Sequence, residues 1–304
     1  MKIFAIGIMA GDNPPDGWEV ALRKIAGTEN VRVLKPHKGM DEKVLQIYSE
    51  FKPDLIFMQI QSEGIISAEL CAFMDKSFII NWTGDVRNGV PRWMKEIAPV
   101  IDLTTFVNKD DVAEMQAAGF KSDFLEIGFD PTIYTPEGTR GTYPEIIFCA
   151  NNYPNHFPLS NMRRDMVLFL KKEYGNRFQV YGNGWQGEGI QTRWLTQRQE
   201  AEAYRSCKIA INLSHYDNYT SDRILRIMGA GAFCLSHKYK YLTEDYERGL
   251  LCWSDFDELK NMIDKIFEFL PVDDIAKSGC NFVHKNHTFD KMIENIILLY
   301  EKYK

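Results

Sequence analysis

The sequence predicts an α/β protein of two Rossmann-like domains that face each other across a cleft. The chain has 304 residues, more than a single core usually fills, so two domains are favoured. Apolar runs of strand length alternate with segments of helical period, which is typical of parallel sheets covered by helices. One stretch rich in proline and glycine, residues 129–145, separates the two alternating series and is predicted to be the linker.

The predicted first domain covers residues 1–138, with helices that begin near Asp16, Asp41, Ser67 and Asn108. Its candidate strands are KIFAIGI, VRVL, DLIFMQI, SFIINW, LTTFV and DFLEI. DLIFMQI and SFIINW are apolar at nearly every position, as expected for strands that are buried on both faces of a sheet.

The predicted second domain covers residues 139–287 and repeats this alternation. Its candidate strands are EIIFCA, FQVYG, KIAINLS and AFCLS, and its candidate helices cover residues 160–174, residues 197–206 and a segment from about Ser221. The last segment, residues 288–304, is predicted to be an amphipathic helix. Two placements remain open for this helix, since it either closes the second domain or crosses back to the first.

Composition and charge exclude several classes of function. The formal net charge is −6, so nothing resembles a basic domain built to neutralise nucleic-acid phosphates. The six cysteines are far apart with no C-x-x-C pair, and they are expected to be buried thiols in a reducing compartment. No signal-peptide pattern and no apolar run of membrane-spanning length are found, so a cytoplasmic location is predicted.

Residues 211–236, INLSHYDNYTSDRILRIMGAGAFCLS, are the candidate anion site. A strand is followed by a polar loop, and a helix begins near Ser221. In an open α/β sheet, ligands bind beyond the carboxyl ends of the strands, where helix N-termini present free N–H groups to anions. Arg223 adds a positive charge that can hold two phosphate oxygens. The loop is therefore predicted to hold a diphosphate, with a surface ion pair as the alternative for Arg223.

These residues, together with FPLSNMRRDM, FQVYGNGW, GLLCWSDFDELK and HTFDKM, resemble glycosyltransferases of the spore-maturation-protein type. Those enzymes belong to the glycosyltransferase family 1 domains of the GT-B fold. The resemblance implies a hexosyl- or pentosyltransferase that moves a sugar from a nucleotide-sugar donor to an acceptor. It also implies that Arg223 contacts the donor diphosphate, and that Gly229 and Gly231 lie against the donor sugar and phosphates.

The chain departs from this pattern at two positions. Many retaining relatives carry two glutamates where this sequence has Asn218 and Arg226. The usual ribose contact and the retaining outcome are therefore not predicted. For Arg226, the resemblance leaves a phosphate contact or an exposed helix face.

Two further segments of the second domain supply donor-site candidates. In residues 178–185, glycines permit close approach of a nucleotide base, and aromatic side chains offer a stacking surface. The loop at residues 150–164 follows the domain's first strand, and its polar side chains are expected near the donor phosphates. A tight turn with a core aromatic is the alternative for Trp185, and Ser160 is predicted to be a helix N-cap. The candidates are Tyr181, Gly182, Gly184, Trp185, Asn151, Asn152 and His156.

In the first domain, residues 81–93 follow a buried strand and carry the catalytic candidate. Asp85 is predicted to be the general base, because a carboxylate near an acceptor hydroxyl promotes transfer. A turn or cap aspartate is the alternative. Four more residues are predicted on the acceptor side, two from this loop and two from the loop after the first strand. They are Trp82, Arg87, Gly11 and Asp12.

No metal or cofactor is predicted, and the nucleotide-sugar is a substrate. The string DFD at 255–257 spells a D-x-D metal motif, but it precedes a helix-period run, so helix capping explains it better. The acceptor class is open among a glycan, a protein, a small molecule and modified DNA. Two other functions also remain, namely a phage-type enzyme that glycosylates a modified DNA base and a non-catalytic sugar-nucleotide-binding domain.

Overall fold

The computed structural model describes residues 1–7, 17–242, 246 and 248–304. The chain divides into two compact units. Unit 1 is Met1–Gly128 with Phe289–Lys304, and unit 2 is Phe129–Thr288. Each unit is built on its own parallel sheet, with hydrophobic side chains of the strands and helices forming its core.

Unit 1 contains a six-stranded sheet of order β2-β1-β3-β4-β5-β6. Its strands are β1 Ile3–Ile6, β2 Val31–Leu34, β3 Leu55–Met58, β4 Phe78–Thr83, β5 Leu103–Phe106 and β6 Ser122–Phe124. Its helices before the linker are α1 Trp18–Ala26, α2 Asp41–Phe51, α3 Ala68–Phe73, α4 Arg92–Ile97 and α5 Lys109–Ala117. Five strands match the predicted runs, whereas β6 shares only Asp123 and Phe124 with the predicted run DFLEI. Each described residue of β1, β3, β4 and β5 is buried, as expected for a sheet covered on both faces.

Unit 2 contains a five-stranded parallel sheet of order β11-β10-β9-β7-β8. Its strands are β7 Ile146–Cys149, β8 Phe178–Tyr181, β9 Ile209–Asn212, β10 Cys234–His237 and β11 Leu250–Trp253. Its helices are α6 Ser160–Tyr174, α7 Gln197–Ser206, α8 Asp222–Gly229, α9 Phe256–Glu268 and α10 Asp273–Asn286. The chain runs from β7 to one neighbour, β8, and then to the other, β9, so the strand order reverses at β7 and β9. Ligands of open α/β sheets bind outside the carboxyl ends of the strands at such a reversal.

Two predicted helix caps lie in unit 2, at the starts of α9 and α6. The Asp255 carboxylate accepts a hydrogen bond from the Glu258 N–H at 2.8 Å and caps α9, which confirms the capping interpretation of the DFD string. Ser160 is instead the first residue of α6, and its hydroxyl accepts from the Phe157 N–H at 3.0 Å. The N-cap prediction for Ser160 is therefore wrong by one position, since Leu159 occupies the cap.

The predicted linker, residues 129–145, belongs to unit 2. The guanidinium of Arg205, on α7, donates to the carbonyls of Thr139 at 3.0 Å and Thr135 at 3.1 Å. The Tyr134 hydroxyl donates to the Glu200 carboxylate at 2.8 Å. These bonds tie the segment to α7 of unit 2, so the boundary between the units falls after Gly128 rather than after residue 138.

The last helix, α11 Phe289–Tyr303, belongs to unit 1. The Tyr300 ring packs edge-on against Phe78 at 5.6 Å between ring centres. Lys302 pairs with the Asp123 carboxylate at 2.8 Å. The chain therefore enters unit 2 at residue 129 and returns to unit 1 at its end.

The six cysteines are free thiols, and Cys207 and Cys252 are only partly buried. Within the described part of the chain, no helix is long and apolar enough to cross a membrane.

Candidate active site

Arg223 lies where the strand order of unit 2 reverses. Its Nε donates to the carbonyl of Cys149, the last residue of β7, at 2.7 Å, and its Nη1 donates to the Asn212 side chain, at the end of β9, at 3.0 Å. The side chain is 9% exposed. Ser221 caps α8 by accepting from the Arg223 N–H at 3.3 Å, which fixes Arg223 in the first turn of the helix. The prediction that placed Arg223 at a helix start beyond the strand ends is confirmed in its geometry.

A second arginine that the sequence analysis did not single out lies beside it. Arg163, on α6, is 2% exposed. Its Nη1 contacts the His215 ring nitrogen Nε2, and its Nη2 donates to the Asn151 carbonyl at 3.2 Å. The guanidinium carbons of Arg163 and Arg223 lie 5.4 Å and 5.3 Å from the centre of the Phe148 ring. Two buried arginines therefore share one aromatic neighbour at the end of β7.

Neither arginine forms a salt bridge within the described residues, although the charge of Asp222 interacts with that of Arg223. The neighbouring carboxylate, Asp222, pairs instead with Arg226 at 3.1 Å. Burial, and then the charge of Arg223, lower the pKa of Arg163 well below its usual range. Unpaired buried charge is costly, and a helix N-terminus next to it adds further positive potential. The site therefore has a net positive charge and is suited to bind an anion.

His215 is held neutral at this position. Burial, and then the charges of Arg163 and Arg223, lower its pKa to about 3. Arginine N–H groups only donate, so the His215 Nε2 accepts the bond from Arg163 and the ring proton lies on Nδ1. Nδ1 is buried, with no hydrogen-bond partner in the described chain. The ring packs on Phe157 with 4.3 Å between ring centres.

An aromatic cluster borders the arginines. Tyr153 is 43% exposed, and its ring centre lies 5.3 Å from that of His215 and 5.6 Å from that of Phe157. The His156 ring packs edge-on against Phe157 at 4.5 Å, so its described contacts are aromatic. Tyr153 thus offers an exposed ring next to the charged site, and the sequence analysis did not name it.

The predicted base-binding turn packs against the protein's own backbone. A Cβ at Gly182 would lie 2.4 Å from the Ala150 carbonyl oxygen, and one at Gly184 would lie 2.5 Å from the Asn152 carbonyl oxygen. Asn151 and Asn152 complete this junction, because the Asn151 side chain accepts from the Asn183 N–H at 2.8 Å and the Asn152 amide donates to the Gly184 carbonyl at 3.3 Å. These glycines and asparagines therefore join two loops, which accounts for glycine at both positions, and the approach of a nucleotide base there stays a prediction.

The two aromatic residues of that turn are not stacking surfaces. Trp185 is fully buried in the core, and its indole N–H donates to the Ala150 carbonyl at 2.7 Å. Tyr181 is buried too, with its ring edge-on to Tyr143 at 6.0 Å. The stacking prediction is wrong for Trp185, and the core alternative describes it.

The glycines after α8 also face protein rather than open space. A Cβ at Gly229 would lie 2.5 Å from the Phe129 ring, and one at Gly231 would lie 2.8 Å from Pro136. Gly231 also has a φ of +75°, which favours glycine. Both glycines accommodate other residues of unit 2, Phe129 and Pro136, and their assignment to the donor sugar stays a prediction.

Arg226 belongs to an internal ion-pair cluster. Its guanidinium pairs with Glu200 at 2.8 Å and with Asp222 at 3.1 Å. Glu200 also accepts from the Tyr134 and Tyr204 hydroxyls at 2.8 Å and 2.7 Å. The charge of Arg226 is thus already compensated, so the geometry favours a structural role over the predicted phosphate contact.

In unit 1, Asp85 follows β4 with an exposed carboxylate. Its Oδ2 lies 3.7 Å from the Arg87 guanidinium, and the Gln61 side-chain amide lies next to it. Arg87 donates to the Thr83 hydroxyl at 2.8 Å and to the Gln61 carbonyl at 2.7 Å, so it joins the loops after β3 and β4. Asp85 is therefore a solvent-accessible carboxylate on an organised loop at the carboxyl edge of the sheet.

Of the other acceptor-side candidates, Trp82, Gly11 and Asp12, the structure describes only Trp82. Trp82 is 1% exposed, stacks on Phe57 and donates from its indole N–H to the Leu125 carbonyl at 3.0 Å. It is a core residue, so its assignment to an acceptor site is wrong. Gly11 and Asp12 lie outside the described residues. Among the described residues, no group of three or more His, Cys, Asp or Glu side chains is placed to hold a metal ion.

Comparison with known proteins defines the class first. The fold is similar to a glycosyltransferase from Rickettsia africae ESF-5, with a TM-score of 0.69 and 11% identity over 99% of this chain and 98% of that chain. A sucrose-phosphate synthase from Thermosynechococcus elongatus gives 0.66 and 11% over 99% of each chain. Anabaena Alr3699/HepE in complex with UDP gives 0.64 and 12% over 99% of this chain and 100% of that chain. The protein therefore has the fold of the GT-B glycosyltransferases.

A family model matches part of the sequence. Residues 163–297 match the family described as Glycosyl transferase-like. This range includes Arg163, His215 and Arg223, so the arginine site lies inside the matched domain. No curated protein sequence matches the chain.

Proposed function

We propose that the protein transfers a sugar from a nucleotide-sugar, whose diphosphate binds at Arg223 and the N-terminus of α8. One observation carries this proposal: a buried arginine at the strand-order reversal is paired with carbonyl and amide oxygens but with no carboxylate of the described chain. Its Nη2 has no hydrogen-bond partner among the described residues and is available to a phosphate oxygen. The UDP named for one structural neighbour makes UDP-sugars the first donors to test.

The site suits departure of the diphosphate. As the bond from the sugar C1 to the diphosphate oxygen breaks, negative charge builds on that oxygen. A fixed arginine and the helix N-terminus stabilise this charge without reorganising during the reaction. We therefore propose that transfer requires no divalent ion, because the protein itself supplies the positive charge.

We propose Asp85 as the general base. The acceptor hydroxyl would transfer its proton to the Asp85 carboxylate as its oxygen bonds to the sugar C1. The exposure of Asp85, at 63% of its side chain, supports access of an acceptor. Its contacts with the loop that Arg87 organises support a defined position for the carboxylate.

The direct test measures release of nucleoside diphosphate from a panel of UDP-, GDP- and ADP-sugars, with EDTA present and with pooled acceptors. We expect release from at least one donor, and loss of that release in Arg223→Ala. Arg198→Ala is the matched control, since Arg198 is exposed and lies in the same unit. Donor binding without release in the wild type would instead indicate a non-catalytic sugar-nucleotide-binding domain.

A further inference from the structure

Arg163 is a deeply buried arginine whose hydrogen-bond partners carry no negative charge. It is 2% exposed, and its hydrogen-bond partners, His215 and the Asn151 carbonyl, are both neutral. Its Nε is buried without a partner in the described chain. Its neighbour Arg164, in contrast, is an ordinary surface residue that pairs with Glu188 at 2.8 Å.

The hydrogen bonds of Arg163 do not by themselves call for a charged side chain. A neutral amide can also donate to a ring nitrogen or to a carbonyl oxygen. Burying a cation next to a second cation is unfavourable, both through lost hydration and through repulsion. The Arg163 and Arg223 guanidinium carbons lie 5.4 Å and 5.3 Å from the centre of the same Phe148 ring, and neither arginine forms a salt bridge with a carboxylate in the described chain. Burial of the Arg163 charge is therefore unfavourable by itself, and an anion bound nearby would make it favourable.

We infer that Arg163 strengthens diphosphate binding at Arg223 through its charge, as a positioning residue that does not touch the ligand. This inference rests on the proposed function. The apolar surroundings of Phe148 reduce the screening of this charge interaction by solvent. The anion in turn relieves the repulsion between the two arginines. The inference therefore assigns a role to the first residue of the matched domain, Arg163.

The test is calorimetric titration of the full-length protein with inorganic pyrophosphate and with UDP. Arg163→Gln keeps a hydrogen-bond donor but removes the charge, whereas Arg163→Lys keeps the charge but loses the forked contacts. We expect Arg163→Gln to bind both ligands about tenfold more weakly, the order of magnitude for one nearby charge at a partly screened site. Arg163→Lys is expected to stay within about threefold of the wild type.

Several results would overturn the inference. One is wild-type affinity in Arg163→Gln, and another is an equal loss in the Gln and Lys variants, which would indicate a structural tie between two loops. If Arg163→Gln does not fold, the affinity of Arg163→Lys tests the inference, because a tenfold loss of affinity in that variant contradicts a role based on charge. The last is a wild type that binds neither pyrophosphate nor UDP, which would refute the proposed anion site itself.

Discussion

His215 connects the protonation of the protein to the arginine site. The neutral ring accepts a hydrogen bond from Arg163, and a protonated ring would place another positive charge beside two arginines. Its pKa of about 3 in the folded protein lies far below the 6.5 of a free histidine. The unfolded chain therefore binds a proton in this pH range that the folded chain does not bind. Stability must fall as the pH decreases from about 6.5 towards 3.

We predict that His215→Gln reduces this acid sensitivity, because glutamine retains an acceptor for Arg163 and does not titrate. Urea denaturation of the wild type and the variant at pH 7 and pH 4.5 measures how much the free energy of unfolding changes between these pH values. The wild type should lose more free energy of unfolding between these pH values than the variant. Equal losses would show that His215 titrates normally in the folded protein.

Asp85→Asn is predicted to lower turnover by roughly two to four orders of magnitude while leaving donor affinity unchanged. The amide keeps the shape of the side chain but accepts no proton. Asp75→Asn is the control, because Asp75 is exposed just before β4, at the opposite end of the same strand. Equal turnover in the Asp85 and Asp75 variants would reduce Asp85 to a loop residue.

At the scale of elements, glycines fix how the chain enters unit 2. Gly231 has a left-handed φ and a close approach to Pro136. Gly231→Ala is therefore predicted to destabilise the protein by about 1–3 kcal/mol, through backbone strain and a clash. Gly187→Ala should cost little, because a Cβ at Gly187 meets nothing within 4 Å and its φ is not left-handed. Thermal unfolding of both variants measures the difference, and similar melting temperatures would contradict this account.

The strands and most helices were predictable because their patterns are local. Period-two and period-3.6 patterns of apolar residues need no knowledge of remote contacts. Three elements were not predicted, namely the short helix α4, the strand β11 and the 14-residue helix α10. For α4 and β11 a few residues carry too little pattern. Arg223 was predictable for the same local reason, as it begins a helix directly after a strand and a polar loop.

The contacts of the other site residues depend on remote parts of the chain. Gly229 meets Phe129, which is far away in sequence, so its motif alone suggested a ligand. Trp185 was assigned to stacking because a sequence does not reveal that a residue after a turn folds into the core. Arg163 was missed because two adjacent arginines on a helix resemble a solvated pair, and only the tertiary structure separates Arg163 from Arg164.

At the scale of the whole molecule, the last helix completes the first unit while the arginine site lies entirely within the second. Removal of residues 289–304 is predicted to destabilise unit 1, because α11 contributes Tyr300 and Lys302 to it. Pyrophosphate binding should persist, since Arg163, His215 and Arg223 keep their supports. Thermal unfolding and titration of the shortened chain test both parts, and a single unfolding transition with lost binding would show that the units are not independent.

The central claim is that a donor diphosphate binds at Arg223, where the strand order of unit 2 reverses. A crystal structure of the protein with UDP tests it most directly. The account predicts diphosphate oxygens within hydrogen-bond distance of Arg223 Nη2, beyond the ends of β7 and β9 and at the start of α8. Ordered UDP whose diphosphate lies elsewhere, with the Arg223 guanidinium hydrogen-bonded only to Cys149, Asn212 and Leu213, would contradict this claim.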